Sequence, residues 1–263
     1  MLLTLWLDQP LWLIFGLLAA LFFGTSLAFC ALTRFRRTRP LLLRLGTGMV
    51  PTYFAAISVL LALLTGFVAN DAWERQREAE RVLQAERANA RAIHDLSLAA
   101  ASDMAGIRAK LAAYLDAVVR DEWPRMAEGG SSADAGERLS RLLEACADPR
   151  LGALSGAATH AALLTAAMAL RAARGDRLAL AEAHGDETKW LTLLILAGLT
   201  LAAIGLVHLD KPWAQASALT LFSAAMVATL GMIALHERPF DGPLALGPEP
   251  LAMALPASAA EAQ

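Results

Sequence analysis

The chain has 263 residues, of which 57% are hydrophobic, and its formal net charge at neutral pH is −2. A soluble domain is about 45–50% apolar, so the excess indicates membrane-spanning segments. The lack of a basic excess argues against nucleic acid as a partner, and two cysteines alone, Cys30 and Cys146, exclude a disulfide framework.

Four apolar segments are each long enough to cross a bilayer as a helix. Because the hydrocarbon core offers no water, each segment must satisfy its backbone hydrogen bonds internally. The segments are residues 11–33, 49–69, 190–209 and 213–235. They predict an all-α membrane protein with four transmembrane helices and a soluble helical bundle inserted between the second and the third.

This layout predicts four regions along the chain. A first transmembrane pair occupies residues 1–69, and a soluble helical domain occupies residues 70–189. A second transmembrane pair follows at 190–235, and a corner with a tail rich in proline and alanine ends the chain at 236–263.

The orientation in the membrane stays open at the level of sequence. The short loop after the first span carries five arginines and no acid, which is typical of a cytoplasmic loop. That would place the soluble domain outside the cell. Basic residues that follow the second span and precede the third favour the opposite orientation, and the charge rule is weak for long loops.

In the soluble region a helix continues out of the second span from Asp71, and a second helix is predicted over residues 103–122. Trp123-Pro124 is expected to end that helix, because the residue before a proline disfavours helical geometry. A third helix begins near Ala133 with Ser132 as its N-cap, and a fourth runs over residues 154–183.

Asp121 and Glu122 lie at the predicted end of the second helix, where the helix dipole prefers cations. We therefore expect a compensating partner: Arg120, Arg125 or a group from another helix. The pair is interpreted as a structural corner or a cation site, and a solvated turn is an equal alternative.

No catalytic signature is present. None of the five histidines is spaced three or four residues from another, so no metal-ligand pair on one helix is predicted. The four spans contain hydroxyl side chains but no Asp, Glu, Lys or Arg, which argues against a proton relay. We expect neither an enzyme nor a bound cofactor or metal.

Arg238-Pro239-Phe240-Asp241 follows the last span and combines a charge, a helix-ending proline, an aromatic ring and a turn signal. This pattern favours an anchoring corner over a plain interfacial stop. Phe240 is expected to pack under the soluble helices, while Arg238 pairs with an acid or a lipid phosphate. Trp123 and Pro124 are assigned to the same corner.

Three stretches carry a resemblance to a bacterial membrane-protein family described as bestrophin-like: residues 67–73, residues 114–124, and residues 238–242 with 248–250. Bestrophins are homopentameric anion channels that also place a helical domain between the second and third spans. Their last span leads into a proline–phenylalanine corner followed by acids that clasp calcium. Here Pro239–Gly242 looks similar, but only Asp241 and Glu249 could supply carboxylates, so no metal site is assigned.

The resemblance implies an oligomeric ion channel that conducts anions, as bestrophins do, with the second span lining the pore. The expected partners are the lipid bilayer, a ring of four or five copies and small inorganic ions, in the bacterial inner membrane. The alternative is a non-conducting scaffold or sensor whose soluble bundle binds a partner. Five residues share one face of the second span and are the pore-lining candidates, with Ile57 and Leu64 as possible replacements: Pro51, Phe54, Ser58, Leu61 and Thr65.

Overall fold

The structure is a computed structural model that describes residues 6–7, 9–46, 51–100, 102–183, 187–242 and 244–254, without the side chains of residues 51, 53 and 54. Within these residues the chain is mainly helical and contains no strand, which confirms the predicted all-α fold. The helices are α1 (Leu11–Arg34), α2 (Arg39–Gly46), α3 (Pro51–Ala99), α4 (Ala105–Ala117), α5 (Trp123–Met126), α6 (Ala133–Cys146), α7 (Pro149–Ser155), α8 (Ala157–Glu182), α9 (Glu187–Val207), α10 (Pro212–Leu235) and α11 (Glu249–Ala252).

Four helical stretches of the described chain are long and apolar enough to cross a membrane. Each overlaps one of the four predicted spans, although residues 49 and 50 of the second span lie outside the described residues. The stretches are Leu11–Arg34, Ala55–Ala99, Ala157–Val207 and Pro212–Leu235. The chain is therefore a multi-pass membrane protein.

The chain forms two compact units, each with its own core. The membrane unit comprises residues 1–74, 185–238 and 242–244, and the helical unit comprises residues 75–184, 239–241 and 245–263. Helix α3 contributes to both. Because these units are defined by packing rather than by a bilayer, the domain boundaries read from the sequence stay a prediction.

In the membrane unit α1 packs along α10, and polar side chains join them inside an otherwise apolar contact. The hydroxyls of Ser26 and Ser223 lie 2.8 Å apart and share a hydrogen bond. At the far end of the same contact Thr33 donates to Gln215 Oε1 at 3.2 Å, and the Gln215 amide donates to the Gly205 carbonyl at 2.7 Å. Hydroxyl and amide groups of this kind hold helices together where apolar side chains gain nothing over lipid.

Two glycines allow phenyl rings of α1 to lie directly on neighbouring helices. A Cβ at Gly205 of α9 would lie 2.3 Å from Phe29 Cε1, and one at Gly231 of α10 would lie 2.3 Å from Phe15 Cε1. Both distances are below any real contact. Close approach, rather than backbone freedom, is the reason that only glycine fits at these two positions.

The core of the helical unit is built from one face of each of its longer helices. The apolar period of the second soluble helix predicts one buried face, and the structure buries its members except Val119, which is partly buried: Ile107, Leu111, Tyr114, Leu115, Val118 and Val119. Ser132 caps α6 as predicted, because its hydroxyl accepts from the Ala135 N–H at 3.1 Å. Helix α8, the fourth helix predicted for the soluble region, begins at Ala157 rather than at residue 154. Gly156, with φ at 88°, separates it from α7.

The prediction that Trp123-Pro124 ends the second soluble helix is wrong, since the helical path continues through Pro124 to Met126. A proline lacks an N–H, and in an α-helix its ring would clash with the carbonyl four residues earlier. Here the turn Val118–Glu122 is π-helical, and the Trp123 N–H donates to the Val118 carbonyl, five residues back. This wider turn relieves the clash just before the proline, so the helix need not stop.

The glycine contacts predict a difference between two substitutions on α9. Gly205→Ala should lower the free energy of unfolding by roughly 1–3 kcal/mol, because the new methyl group meets the Phe29 ring in a packed contact. Gly198→Ala is the matched control, since no atom lies within 4 Å of its Cβ position. It should leave stability unchanged or raise it slightly. Thermal unfolding of the full chain in detergent measures both, and equal losses would contradict the packing argument.

Candidate functional site

The predicted pore-lining residues lie in the first half of α3, and those whose side chains the structure describes are buried or partly buried. Leu61 is only 5% exposed and belongs to that unit's core, while Ser58 and Thr65 are partly buried. The Thr65 hydroxyl is buried without a hydrogen-bond partner among the described residues. Pro51 and Phe54 lie in α3, but their side chains are outside the described part of the structure. The proposed replacements Ile57 and Leu64 are partly buried as well.

The opposite face of the same helix is apolar and exposed. Val59 is 65% exposed, Leu63 53% and Phe67 60%, and their spacing of four residues places them along one line of the helix. We call these three residues the exposed stripe. Small residues flank it on the exposed surface: Ala55, Ala56, Ala62 and Gly66. The sequence reasoning missed this stripe.

A signal for the buried face of the apolar half was present further along α3. In the polar half of the helix the buried positions include Ala72, Ala79, Leu83 and Ala90, at intervals of seven, four and seven residues. Continued towards the N-terminus at the same helical period, this pattern reaches Val68 and then Leu61, and both are buried. The inner face of the apolar half can therefore be read from the amphipathic half.

The structure brings together part of the predicted corner. The rings of Trp123 and Phe240 meet edge to face with centroids 5.8 Å apart, and Phe240 is buried in the core of the helical unit. The Trp123 indole donates to the Leu246 carbonyl at 3.3 Å, and the Leu246 N–H donates to the Pro239 carbonyl at 2.7 Å. These contacts fix the chain after the last span to the helical unit's core.

The other corner residues lie outside that contact. Pro124 is exposed, while Arg238 and Asp241 are partly buried. Gly242 supplies the turn that follows, with φ at 96° in the region that favours glycine. Among the described residues no group of three or more His, Cys, Asp or Glu side chains is placed to hold a metal ion.

A buried ion-pair network, which sequence reasoning did not find, lies at the centre of the helical unit. The Arg177 guanidinium on α8 contacts two carboxylates: its Nε lies 2.6 Å from Glu86 Oε2 and its Nη2 lies 2.7 Å from Glu122 Oε1. All three side chains have no exposed surface. The Tyr114 hydroxyl donates to Glu86 Oε1 at 2.7 Å.

A second arginine and a ring complete the network. Arg174 pairs with Glu122 and donates to the Ser132 carbonyl at 3.1 Å. The Arg177 guanidinium also lies over the Trp123 ring, 5.1 Å from its centroid, in a cation–π arrangement. Two arginines and two glutamates give no net charge, so the network is both hydrogen-bonded and neutral. Such pairing is the condition under which charge is tolerated in a protein core.

The network explains the two acids that the sequence left unassigned. Glu122 turns inward to Arg174 and Arg177 of another helix, while Asp121 stays partly exposed and pairs with Arg125 and the Ser132 hydroxyl. Hydrogen bonds from Ser132 and Arg125 lower the pKa of Asp121. Burial alone would raise the pKa of Glu122, but the hydrogen bonds and charges of the two arginines outweigh it and lower that pKa.

Two further groups show the low polarity of this core. Burial and the neighbouring Glu86 carboxylate raise the pKa of Tyr114 well above its ordinary value, so its hydroxyl remains a donor. Burial likewise raises the pKa of the Cys146 thiol to about 11, which leaves it protonated and unreactive at neutral pH. Both cysteines are free thiols. The network can hold helices in place, but it presents no activated nucleophile.

A family model described as a bestrophin-like domain matches residues 20–251 of the chain. A search of curated protein sequences returned no match. Among solved structures, a bacterial bestrophin homolog from Klebsiella pneumoniae is similar over 90% of this chain and 94% of its own, with 16% identity and a TM-score of 0.66. One point variant of that homolog aligns with a TM-score of 0.68 and 16% identity, over 91% of this chain and 96% of its own. A second point variant aligns with a TM-score of 0.65 and 17% identity, over 92% of this chain and 95% of its own.

The network predicts a large stability loss when its central cation is removed. Arg177→Met should cost on the order of 3–5 kcal/mol, because Glu86 would lose its arginine and Glu122 one of two. Arg141→Gln is a suitable control, since Arg141 forms an exposed pair with Glu137 on α6 and should contribute little. Thermal unfolding of the full chain compares them, and a stable Arg177→Met protein would contradict the assigned role.

The lowered pKa of Glu122 predicts a dependence of stability on acid. A carboxylate whose pKa is lower in the folded state stabilises the fold fully above its ordinary pKa of about 4.5. That contribution is lost as the pH falls from there through the folded-state value. The free energy of unfolding should therefore fall below about pH 4.5. Glu122→Gln should be less stable at neutral pH, but its stability should fall less steeply with acid; parallel curves for the two proteins would contradict the prediction.

Proposed function

This chain belongs to the bestrophin-like family, and on that premise we propose that it is an oligomeric ion channel that conducts anions, with α3 lining the pore. The observation that carries the proposal is the exposed stripe of Val59, Leu63 and Phe67. Rings of such apolar side chains around an axis can gate a pore by dewetting. The predicted second span contains no carboxylate, and carboxylate rings are the usual means of selecting cations.

A pore of this kind needs several copies of the chain. The exposed stripe lies on the surface of one chain, so several chains around an axis are required to enclose a path. Helix α1 also exposes small residues at every fourth position, which would let a neighbouring helix approach closely: Gly16, Ala20, Gly24 and Ala28. Identical chains usually associate with closed symmetry. A ring of four or five copies in the bacterial inner membrane satisfies that rule and fits the resemblance.

Two faces of α3 are candidates for lining the proposed pore. The side chains chosen from the sequence include Leu61, which a single chain already uses for its own packing. Leu63 lies two residues away on the opposite face and is exposed, so its side chain is free to face the axis of an oligomer or the lipid. We therefore assign the exposed stripe, rather than Leu61, to the narrow part of the pore.

Two alanine substitutions test this assignment. Leu63→Ala should change the single-channel conductance or open probability several-fold and leave thermal stability near that of the wild type. Leu61→Ala should instead lower the free energy of unfolding by roughly 2–5 kcal/mol, as other buried leucines do, and leave the conductance of folded channels unchanged. Planar-bilayer recordings with chloride and thermal unfolding in detergent supply the two readouts.

The outcomes separate the alternatives. If Leu61→Ala changes the conductance but keeps wild-type stability, the face chosen from the sequence lines the pore instead of the exposed stripe. A wild-type protein that stays monomeric by mass measurement, and silent in flux assays with varied ions, voltage and pH, would exclude the channel. That result would favour a scaffold whose helical unit binds a partner.

A further inference from the structure

Five arginines lie in the loop between α1 and α2 and in the adjoining parts of these helices, and none has a partner among the described residues. All are exposed, and within the described chain their guanidinium groups form no hydrogen bond or ion pair with a carboxylate or a carbonyl. Residues 34–46 contain no acid. The set is Arg34, Arg36, Arg37, Arg39 and Arg44. Elsewhere in the described chain many exposed arginines pair with a nearby acid, as Arg125 does with Asp121 and Arg141 with Glu137.

Large apolar side chains are exposed among these arginines. Phe35, Leu41 and Leu45 are each about three-fifths exposed, at 65%, 60% and 58%. A basic loop that only met water would gain nothing from such side chains. Basic and apolar residues together are typical of segments that lie in the interface of a membrane, where the apolar groups enter the acyl region.

The position of α2 in the membrane unit agrees with this. Helix α2 packs on α1 and α9, and Gly46 fits so closely against the end of α9 that a Cβ there would lie 2.9 Å from Leu209 Cδ1. Shortly after Leu209 the chain exposes Lys211 and Trp213, the latter by 88%. An exposed tryptophan at the start of a membrane-spanning helix is typical of the level of lipid headgroups. Among the described residues 34–46 and 208–213, Asp210 is the one acid.

We propose that residues 34–45, together with Lys211 and Trp213, form a binding surface for anionic phospholipids. The arginine guanidinium groups take the headgroup phosphates, since their planar donors match phosphate oxygens in pairs. Phe35, Leu41 and Leu45 contact the acyl chains beside them. The apolar side chains select a lipid over a free phosphate ion as the source of the phosphate group. The inference does not depend on whether the protein conducts ions.

The test is a lipid titration of the purified full chain in detergent, followed by native mass spectrometry. Phosphatidylglycerol and phosphatidylcholine with identical acyl chains are compared. Each arginine near an anionic surface contributes about fivefold in affinity, so Arg36→Gln, Arg37→Gln and Arg39→Gln combined should weaken phosphatidylglycerol binding by roughly 100-fold. Binding of phosphatidylcholine should change little. Raising the salt concentration should weaken wild-type binding as well.

Two matched variants control for charge and for fold. The triple variant Arg141→Gln, Arg150→Gln and Arg171→Gln removes the same charge from exposed sites of the helical unit and should keep phosphatidylglycerol binding. Replacing Arg36, Arg37 and Arg39 by lysine keeps the charge and should retain most of the binding. Thermal unfolding should be unaltered in both, because none of these side chains is buried.

Three results would overturn the proposal. Equal binding of the two lipids by the wild type would remove the preference for anionic headgroups. Undiminished phosphatidylglycerol binding by the combined glutamine variant of Arg36, Arg37 and Arg39 would show that these arginines do not bind the lipid. Displacement of phosphatidylglycerol by millimolar inorganic phosphate would identify the surface as a site for soluble anions instead of lipid.

Discussion

One buried stripe runs along helix α3 from Leu61 to Ser97 and contributes to the core of each unit. The helix has 49 residues and passes from a predicted membrane span into the core of the helical unit. Because an α-helix repeats every 3.6 residues, its inner positions recur at intervals of three, four or seven, from Leu61 and Val68 to Ala90 and Ile93. Small residues dominate its middle, so neighbouring helices can approach closely.

Glu86 lies in that buried stripe, so the helical unit must supply partners for a buried carboxylate. A carboxylate with no exposed surface is stable only if a cation and hydrogen bonds replace the water it loses. Arg177 and the Tyr114 hydroxyl do so, and the second carboxylate that Arg177 contacts, Glu122, requires Arg174 in turn. A buried network of this kind adds less stability than apolar packing, but it fails when one member is removed. It therefore specifies how α3, α4 and α8 meet.

Local signals in the sequence predicted much of the fold. The four spans follow from length and polarity, the apolar face of α4 from its period, and the cap at Ser132 from the preference of a serine hydroxyl for backbone N–H groups. The path through Pro124 was not predictable from proline chemistry, because the π-helical turn before it relieves the clash.

The candidate site was less predictable than the fold. In an alanine-rich helix nothing local distinguishes the buried Arg177 from the exposed Arg171, since only the acids of other helices decide which arginine is paired. In the apolar half of α3 every face has a similar polarity, so Ser58, Leu61 and Thr65 could not be separated from the exposed stripe by composition. Which of these residues are buried is decided by tertiary packing. The spacing of buried residues in the amphipathic half of the same helix indicates that choice.

If α3 lines the proposed pore, packing and conduction make opposite demands on it. A side chain that a copy buries for its own stability, such as Leu61, is not available to an axis shared by several copies, and its removal leaves a cavity. An exposed side chain such as Leu63 contributes little to the fold of one chain, and in the proposed pore it would control whether water fills the path. The two faces can therefore change independently: the exposed stripe can vary in size and polarity to alter gating, while the buried stripe is held by the core that it helps to form.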